Sequence, residues 1–233
     1  MFLPIKMNSV VVVVDNDECV GSWRQMARMH RAHILKGCIP SVGKFVEFME
    51  RTSAVRPGVR ELLTSLQCAK ASGAVHSVVM CTAATDAFGW VSFLRVVLET
   101  WLGLGVYDQV IDRRMLETWH AAHRRPAFSS VHNCMVKDMA LVRRLCAVCN
   151  DCPVVVIDDR PEGVVGDNTF ALRVCPYVVP PAPLSEAQAV WGESWTDVCD
   201  QDKEVLGTQE PLNVSGCLGA LSTCMRRRRV CAY

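Results

Sequence analysis

The run Val10-Val11-Val12-Val13-Val14 constrains the fold of this 233-residue chain more than any other feature. Five consecutive β-branched residues predict a strand buried on both faces, as in a parallel sheet that is covered by helices. Asp15-Asn16-Asp17 follows the run directly. In such sheets ligands bind beyond the carboxyl ends of the strands. We therefore expect Asp15 and Asp17 to lie at a functional edge of the sheet.

Other apolar runs and helical patterns alternate along the rest of the chain. The apolar runs predict strands at 77–81, 106–111, 153–157 and 170–174. Helical spacing and composition predict helices at 22–36, 42–51, 56–72, 86–102 and 137–149. This alternation predicts an α/β fold, a three-layer Rossmann-like core with a mostly parallel sheet.

The predicted elements divide the chain into a core and an extension. Residues 1–180 form the predicted core, in which 19–55 is a helical insertion or small cap after the first strand. Residues 181–233 form a C-terminal extension, because a proline-rich stretch begins there and the composition changes. We expect a helix within 185–205 that packs back on the core, and a final 25 or so residues that are poorly ordered.

Composition and charge narrow the class of protein. With 25 basic and 24 acidic residues the net charge is +1, which gives no clear indication of nucleic-acid binding. Arg226–Arg229 is interpreted as a solvated tail, with a weak nuclear or anionic-partner signal as the alternative. Thirteen cysteines without signal-peptide organisation predict a reduced, intracellular protein, cytoplasmic or nuclear. No apolar stretch reaches the roughly 18 residues of a membrane span, and the oligomeric state stays open.

Polar residues of four kinds follow one another in a defined order. They are Asp15 and Asp17 after the first strand, Thr82 after the second, then Lys137, then Asp158-Asp159 after the run 153–157. Carboxylates at strand ends are oxygen ligands of the kind that Mg²⁺ prefers, and Mg²⁺ suits phosphate chemistry.

This order resembles the haloacid dehalogenase superfamily of aspartate-nucleophile phosphatases. Its motifs are Asp-x-Asp after an apolar strand, a Ser or Thr after a strand, a Lys, and an acidic pair. Receiver domains place the acidic pair first, so the order argues against them. Arg56-Pro57-Gly58, Lys137-Asp138-Met139 and Pro161 further resemble the NLI-interacting-factor-like branch of the superfamily. The resemblance covers roughly residues 9–178.

The resemblance implies a Mg²⁺-dependent phosphatase that forms an aspartyl-phosphate on Asp15, with Asp17 as general acid and base. It implies that Thr82, Ala83 and Lys137 bind the phosphoryl oxygens. The implied metal ligands are Asp15, Asp17, Asp158 and Asp159. The implied substrate is a phosphoserine or phosphothreonine protein. A small phosphomonoester metabolite is one alternative, and a catalytically weak protein-interaction module is another.

Cys19 departs from the pattern of the branch, which has Asp-x-Asp-x-Thr with a threonine at this position. A thiol is a weaker hydrogen-bond partner than a hydroxyl. The cysteine therefore points to reduced activity and favours the interaction-module alternative. The predicted helices of 19–55 also replace a short hairpin that the branch often has there.

Two further patterns are set aside as sites. Cys146, Cys149 and Cys152 resemble part of an iron–sulfur or zinc run, but no fourth ligand stands at the usual short spacing. We interpret them as buried or incidental cysteines. The pairs His30/His33 and His120/His123 have no acidic third ligand, so we expect surface histidines. No cysteine is followed by five residues and an arginine, which disfavours a thiol-dependent phosphatase.

Overall fold

A five-stranded parallel sheet lies at the centre of the molecule. The computed structural model describes residues 9–192 and 211–230, and the strand order of the sheet is β3-β2-β1-β7-β9. In chain order, the strands of the described residues are β1 (Val10–Asp15), β2 (Val75–Cys81), β3 (Gln109–Ile111), β4 (Phe128–Ser129), β5 (Cys134–Met135), β6 (Lys137–Asp138), β7 (Val154–Asp158), β8 (Val164–Val165) and β9 (Thr169–Arg173).

Helices cover both faces of this sheet. They are α1 (Arg24–Leu35), α2 (Val42–Arg51), α3 (Val59–Ala71), α4 (Trp90–Leu102), α5 (Arg113–Ala122), α6 (Met139–Leu145), α7 (Leu184–Trp191) and α8 (Val214–Val230). Helices α5 and α6 pack on one face and the other six on the opposite face. The predicted α/β, three-layer Rossmann-like fold with a parallel sheet is confirmed.

The valines of β1 supply side chains to both layers of the core. Val10, Val12 and Val14 pack on the face that carries α1–α4, whereas Val11 and Val13 pack on the face that carries α5 and α6. Each of the five is at most 1% exposed. Because successive residues of a strand point to opposite faces, only a strand between two helical layers buries every one of them.

The insertion after β1 is helical, as expected for 19–55. Its helices α1 and α2 join the layer that contains α4 and α7, and they bury an aromatic cluster. His30 and His33 lie within this cluster, against Phe45 and Phe93, and are 3% and 8% exposed. The expectation of surface histidines is wrong for this pair, because one face of α1 turns both rings into the core.

Helix α6 is shorter than the predicted helix 137–149. Lys137 lies in the two-residue strand β6, which pairs with β8. The helix begins after Asp138, whose carboxylate accepts a hydrogen bond from the Ala140 amide and caps the first turn. It ends at Leu145, and Ala147 then adopts a left-handed backbone conformation with φ of 54°. The strand places Lys137 before the helix, and its side chain is buried.

Two helices lie in the described part of the C-terminal extension. Helix α8 buries its own residues Val214, Cys217 and Leu221 in the core, together with Leu212 just before it. Helix α7 covers the start of the predicted 185–205 helix, and residues 193–205 lie outside the described part. Arg226–Arg229 belongs to the last turns of α8. Within residues 9–192 and 211–230, no helix combines the length and apolar character that crossing a bilayer requires.

Candidate metal and phosphate site

Three strands deliver polar residues to one edge of the sheet. Asp15 is the last residue of β1, and Thr82 directly follows β2. Asp158 is the last residue of β7, and Asp159 directly follows it. β1 lies between β2 and β7, and the three strands are parallel and in register, with Asp15 beside Cys81 and Val14 beside Ile157. Their carboxyl ends therefore meet, as expected from the sequence.

Lys137 reaches this edge from β6. Its ammonium nitrogen lies 2.5 Å from the nearer Asp15 carboxylate oxygen and 2.8 Å from an oxygen of Asp158. The lysine side chain is 8% exposed, and the two carboxylate side chains are 5% and 1% exposed. One buried cation thus lies between two buried anions, which is the arrangement that such charges require inside a protein.

Asp15, Asp158 and Asp159 form a compact set of oxygen ligands. Ligand oxygens of the three carboxylates all lie within 4.8 Å of one another, and all three residues are buried. Oxygens around Mg²⁺ lie about 2.0–2.1 Å from the ion, so a small closure of this set fits the ion. Among the described residues, no other His, Cys, Asp or Glu side chains form such a group. The backbone amide of Arg160 holds one Asp158 oxygen at 2.7 Å.

The Asp17 carboxylate is not part of that set. It accepts a short hydrogen bond from the Thr82 hydroxyl, which in turn accepts one from the Ala84 amide at 2.9 Å. Thr82 is fully buried, so in this structure its hydroxyl contacts Asp17, whereas Ala83 lines the open cleft. The sequence analysis correctly predicts that Asp17 and Thr82 lie at the carboxyl edge of the sheet. It does not predict that the Thr82 hydroxyl holds the Asp17 carboxylate.

Burial shifts the pKa values of this group. Burial raises the pKa of Asp15 well above its usual value, although the Lys137 ammonium opposes the shift. Burial by itself would lower the pKa of Lys137. The negative charges of Asp15 and Asp158 outweigh this effect, so the pKa of the lysine lies well above its usual value. The lysine therefore stays charged. The surplus of carboxylates favours uptake of either a proton or a metal cation.

The pKa values of Asp17 and Asp159 move in the same direction. Burial raises the pKa of Asp17, and the hydrogen bond from Thr82 limits the shift. Burial raises the pKa of Asp159, with a further contribution from the negative charge of Asp158. Asp17 is thus a carboxyl group that retains a proton to higher pH than an exposed aspartate does.

Cys19 lies beneath the site. Its sulfur is 3.7 Å from the carbonyl oxygen of Ile157, to which the thiol donates, and the residue is 1% exposed. Burial raises the pKa of this thiol well above its usual value, so the group stays protonated. Cys19 ties the loop after β1 to the end of β7, but through a weaker bond than a hydroxyl would make.

A cleft of about 240 Å³ opens above these residues. Its walls include Cys134 and Met135 of β5, and Phe128 of β4, so the small hairpin overhangs the site. Three charged residues that were not anticipated also line it: Glu18, Arg113 and Arg160. Two of them had a signal in the sequence, since Arg113 follows β3 closely and Arg160 directly follows the acidic pair.

The patterns that were set aside lie away from this cleft. Cys146 and Cys152 are buried and Cys149 is exposed, and all three are free thiols. His120 is 2% exposed and its ring contacts the carbonyl of Val136 at 2.9 Å, so the expectation of a surface side chain is wrong for it. His123 is exposed, as expected.

Comparison with known proteins adds no further assignment. No family model matches the chain, and no curated protein and no solved structure matches it significantly.

Proposed function

We propose that this protein is a Mg²⁺-dependent phosphatase that hydrolyses phosphomonoesters through an aspartyl-phosphate on Asp15. The observation that carries the proposal is the meeting of Asp15, Lys137, Asp158 and Asp159 in one buried set at the carboxyl edge of the sheet. These residues are far apart in sequence, and the roles implied by the haloacid dehalogenase resemblance require them to be neighbours. A carboxylate nucleophile, an ammonium and a divalent-cation site form a self-consistent set for phosphoryl transfer.

Asp15 is the proposed nucleophile. It lines the cleft, yet only 3% of it is exposed, so a phosphate entering the cleft meets the carboxylate without a full water shell. An oxygen of Asp15 would form the bond to phosphorus while the bond to the leaving oxygen breaks. Water would then hydrolyse the aspartyl-phosphate and regenerate the carboxylate.

Asp17 is the proposed general acid and base. The hydrogen bond from Thr82 fixes its carboxyl at the cleft wall, and its raised pKa favours the protonated form that donates to a leaving oxygen. After that donation the carboxylate is ready to take a proton from the attacking water. Groups in this role contribute about 10²–10⁴-fold to the rate.

Lys137 and the acidic set would balance the charge of the phosphoryl group. The Lys137 ammonium lies within hydrogen-bond distance of the nucleophile, so it orients Asp15 and faces the incoming phosphate oxygens. Asp15, Asp158 and Asp159 would hold Mg²⁺. When bound, the cation offsets the repulsion between an anionic nucleophile and an anionic substrate.

A phosphoserine or phosphothreonine protein is the proposed substrate, by analogy with the branch that the motifs resemble, and a small metabolite phosphate is the alternative. A catalytically weak interaction module is the alternative from another class. Cys19 favours the interaction module. Its thiol makes a weaker hydrogen bond to the Ile157 carbonyl than the hydroxyl of the threonine in the branch pattern would make, so the loop after β1 is held less firmly. The complete acidic set favours the enzyme.

The test is turnover of an aryl phosphate with Mg²⁺, with chelator, and in the variant Asp15→Asn. We expect metal-dependent turnover that falls on the order of 10³-fold or more in the variant, because the nucleophile is lost. Asp167→Asn, which changes an exposed carboxylate in the turn before β9, is the matched control and is expected to keep wild-type turnover. Beryllium fluoride, an acyl-phosphate mimic, is expected to inhibit.

Turnover that persists in Asp15→Asn, or that is the same with Mg²⁺ and with chelator, contradicts the mechanism. If the wild type shows no turnover, the interaction module is favoured.

A further inference from the structure

A second groove adjoins the cleft and is rich in arginine. It has a volume of about 480 Å³ and shares Asp17, Ala83 and Arg113 with the cleft. Besides Arg113, its lining includes Arg24, Arg28 and Arg31 of α1. Of the described residues that line it, Asp17 is the sole carboxylate. We call this surface the arginine groove.

The spacing of the α1 arginines makes them one stripe. Arg24, Arg28 and Arg31 stand at positions i, i+4 and i+7, which share a face of an α-helix. The opposite face of α1 buries Met26 and Met29 in the core, so the helix cannot turn the stripe away. At 1.5 Å per residue the stripe is about 10 Å long. It therefore leads from the mouth of the cleft along the surface.

Three of these arginines, Arg24, Arg31 and Arg113, have exchangeable partners. Arg24 pairs with Glu18 at 3.2 Å with 55% of its side chain exposed, and Arg113 pairs with Glu117 at 2.7 Å with 47% exposed. Arg31 lies over the ring of Phe88, 5.4 Å from its centre. Exposed contacts of this kind are weak, so an anionic ligand can replace them.

We propose that the arginine groove binds an acidic segment of an extended phosphopeptide whose phosphorylated residue occupies the cleft. This inference rests on the proposed function and specifies its substrate class. Overall the chain is nearly neutral, at +1, so four arginines around one groove are a local feature that complements negative charge.

The shape of the groove favours an extended chain over a compact ligand. An extended peptide advances about 3.3–3.6 Å per residue, so the α1 stripe matches about three residues beside the phosphorylated one. Phe88 is 46% exposed at the side of the groove, where it offers an apolar contact for the peptide. A compact bisphosphate would reach only the arginines nearest to the cleft.

The test is a binding measurement, which does not require turnover. Two labelled phosphoserine peptides are compared by fluorescence anisotropy with the full chain in chelator, which prevents hydrolysis under the proposed function. One peptide carries glutamates on both sides of the phosphoserine and the other carries glutamines. We expect the glutamate peptide to bind at least about tenfold more tightly at low salt, since each exposed ion pair contributes up to roughly fivefold. This preference is expected to shrink as salt screens the charges.

In the variant Arg28→Gln/Arg31→Gln, we expect most of the about tenfold preference for the glutamate peptide to disappear. Circular dichroism is expected to show an unchanged fold. Arg114→Gln, an exposed arginine on α5 outside the groove, is the matched control and retains the preference. Equal binding of the two peptides to the wild type, or an unchanged preference in the double variant, would overturn the proposal. Displacement of the glutamate peptide by pyrophosphate at equal concentration would also overturn it, because a compact ligand would then suffice. If the wild type prefers the glutamate peptide but does not turn over the aryl phosphate, the proposed phosphatase activity is wrong and the proposed binding of an acidic segment stands.

Discussion

At the scale of single residues, Lys137 is the side chain on which the candidate site depends. It is the one ammonium among the buried carboxylates described here, and both Asp15 and Asp158 contact it directly. A buried ion pair adds little stability compared with an apolar replacement of the whole group. Loss of one partner is different, because it leaves the other charges buried and unpaired.

We therefore expect Lys137→Met to lower the free energy of unfolding by about 3–5 kcal/mol at neutral pH in chelator. The matched control is Lys70→Met, which removes a pair with Asp108 at the same 2.8 Å distance as that between Lys137 and Asp158. Lys70 is more exposed, at 18% of its side chain, so the control is expected to cost about 1 kcal/mol.

Urea unfolding of the two variants and the wild type measures the difference. A second series in excess Mg²⁺ is expected to restore part of the stability of Lys137→Met, since the cation takes over charge compensation. Equal losses for the two lysines would show that the carboxylates at the sheet edge are already neutral without Lys137.

At the scale of secondary-structure elements, the turn before α3 joins two distant parts of the chain. Gly58 caps this helix in a left-handed conformation, with φ of 89°. A β-carbon at this position would lie 3.1 Å from the Leu212 carbonyl oxygen and 3.2 Å from a methyl carbon of Val214. The amide of Leu212 donates to the Pro57 carbonyl at 2.9 Å. The glycine is therefore needed for backbone conformation and for docking of α8.

Gly58→Ala is expected to cost about 2–3 kcal/mol, from the left-handed conformation and from displacement of the segment before α8. Gly89→Ala is the matched control, because Gly89 has φ of 73° and nothing within 4 Å of an added β-carbon. Its expected cost is about 1 kcal/mol, the backbone part alone.

Thermal or urea unfolding of both glycine variants measures the two costs, and their difference isolates the contact with residues 212–214. If both variants lose the same stability, the close approach of this segment to the turn carries no energetic weight.

Elements were predicted best where the pattern was long and apolar. Strands β1, β2 and β7 lie where the valine-containing apolar runs predict them, and β9 lies within one residue of the predicted 170–174. The predicted helix 137–149 begins two residues before α6 and ends four residues after it, because the capping carboxylate of Asp138 and the left-handed Ala147 decide the ends of α6. Such features depend on single backbone angles and side-chain contacts, which periodicity does not report.

At the scale of the whole molecule, the acidic set links stability to pH. Burial raises the pKa values of Asp15, Asp17 and Asp159 above those of an unfolded chain. A folded state that binds protons more tightly is favoured below the unfolded pKa of about 3.9, and that gain is lost as the pH rises through the folded pKa values. Without metal, these groups therefore oppose folding increasingly from about pH 4 upwards.

Bound Mg²⁺ is expected to reverse this effect, because it requires the deprotonated carboxylates. At a hundredfold excess over its dissociation constant a ligand contributes about 2.7 kcal/mol, which corresponds to roughly 5–10 °C in Tm for a chain of this size. We expect a shift of this order at pH 7.5 and less than half of it at pH 5.

Differential scanning calorimetry in Mg²⁺ and in chelator at the two pH values measures these shifts, with NaCl at equal ionic strength as the control. A Tm shift that is the same at both pH values would mean that the cation binds elsewhere than at the three buried carboxylates.

The amino-acid sequence by itself determined the layered α/β architecture and the edge at which polar residues gather. Five valines in a row predict a strand between two covering layers, and Asp15 ends the apolar run with a group that is costly to bury without a partner. Both features follow from local preferences of residue type, so they can be predicted without knowing which residues contact each other in the fold.

Only the tertiary structure decided which side chains touch. Asp15 and Lys137 are 122 positions apart, and the short strand β6 is what brings them together. The bond between Thr82 and Asp17, the burial of His30 and His33, and the arginine groove all arise where separate elements pack against each other. Each depends on distances across the fold, and a sequence pattern constrains residue types along the chain and leaves those distances open.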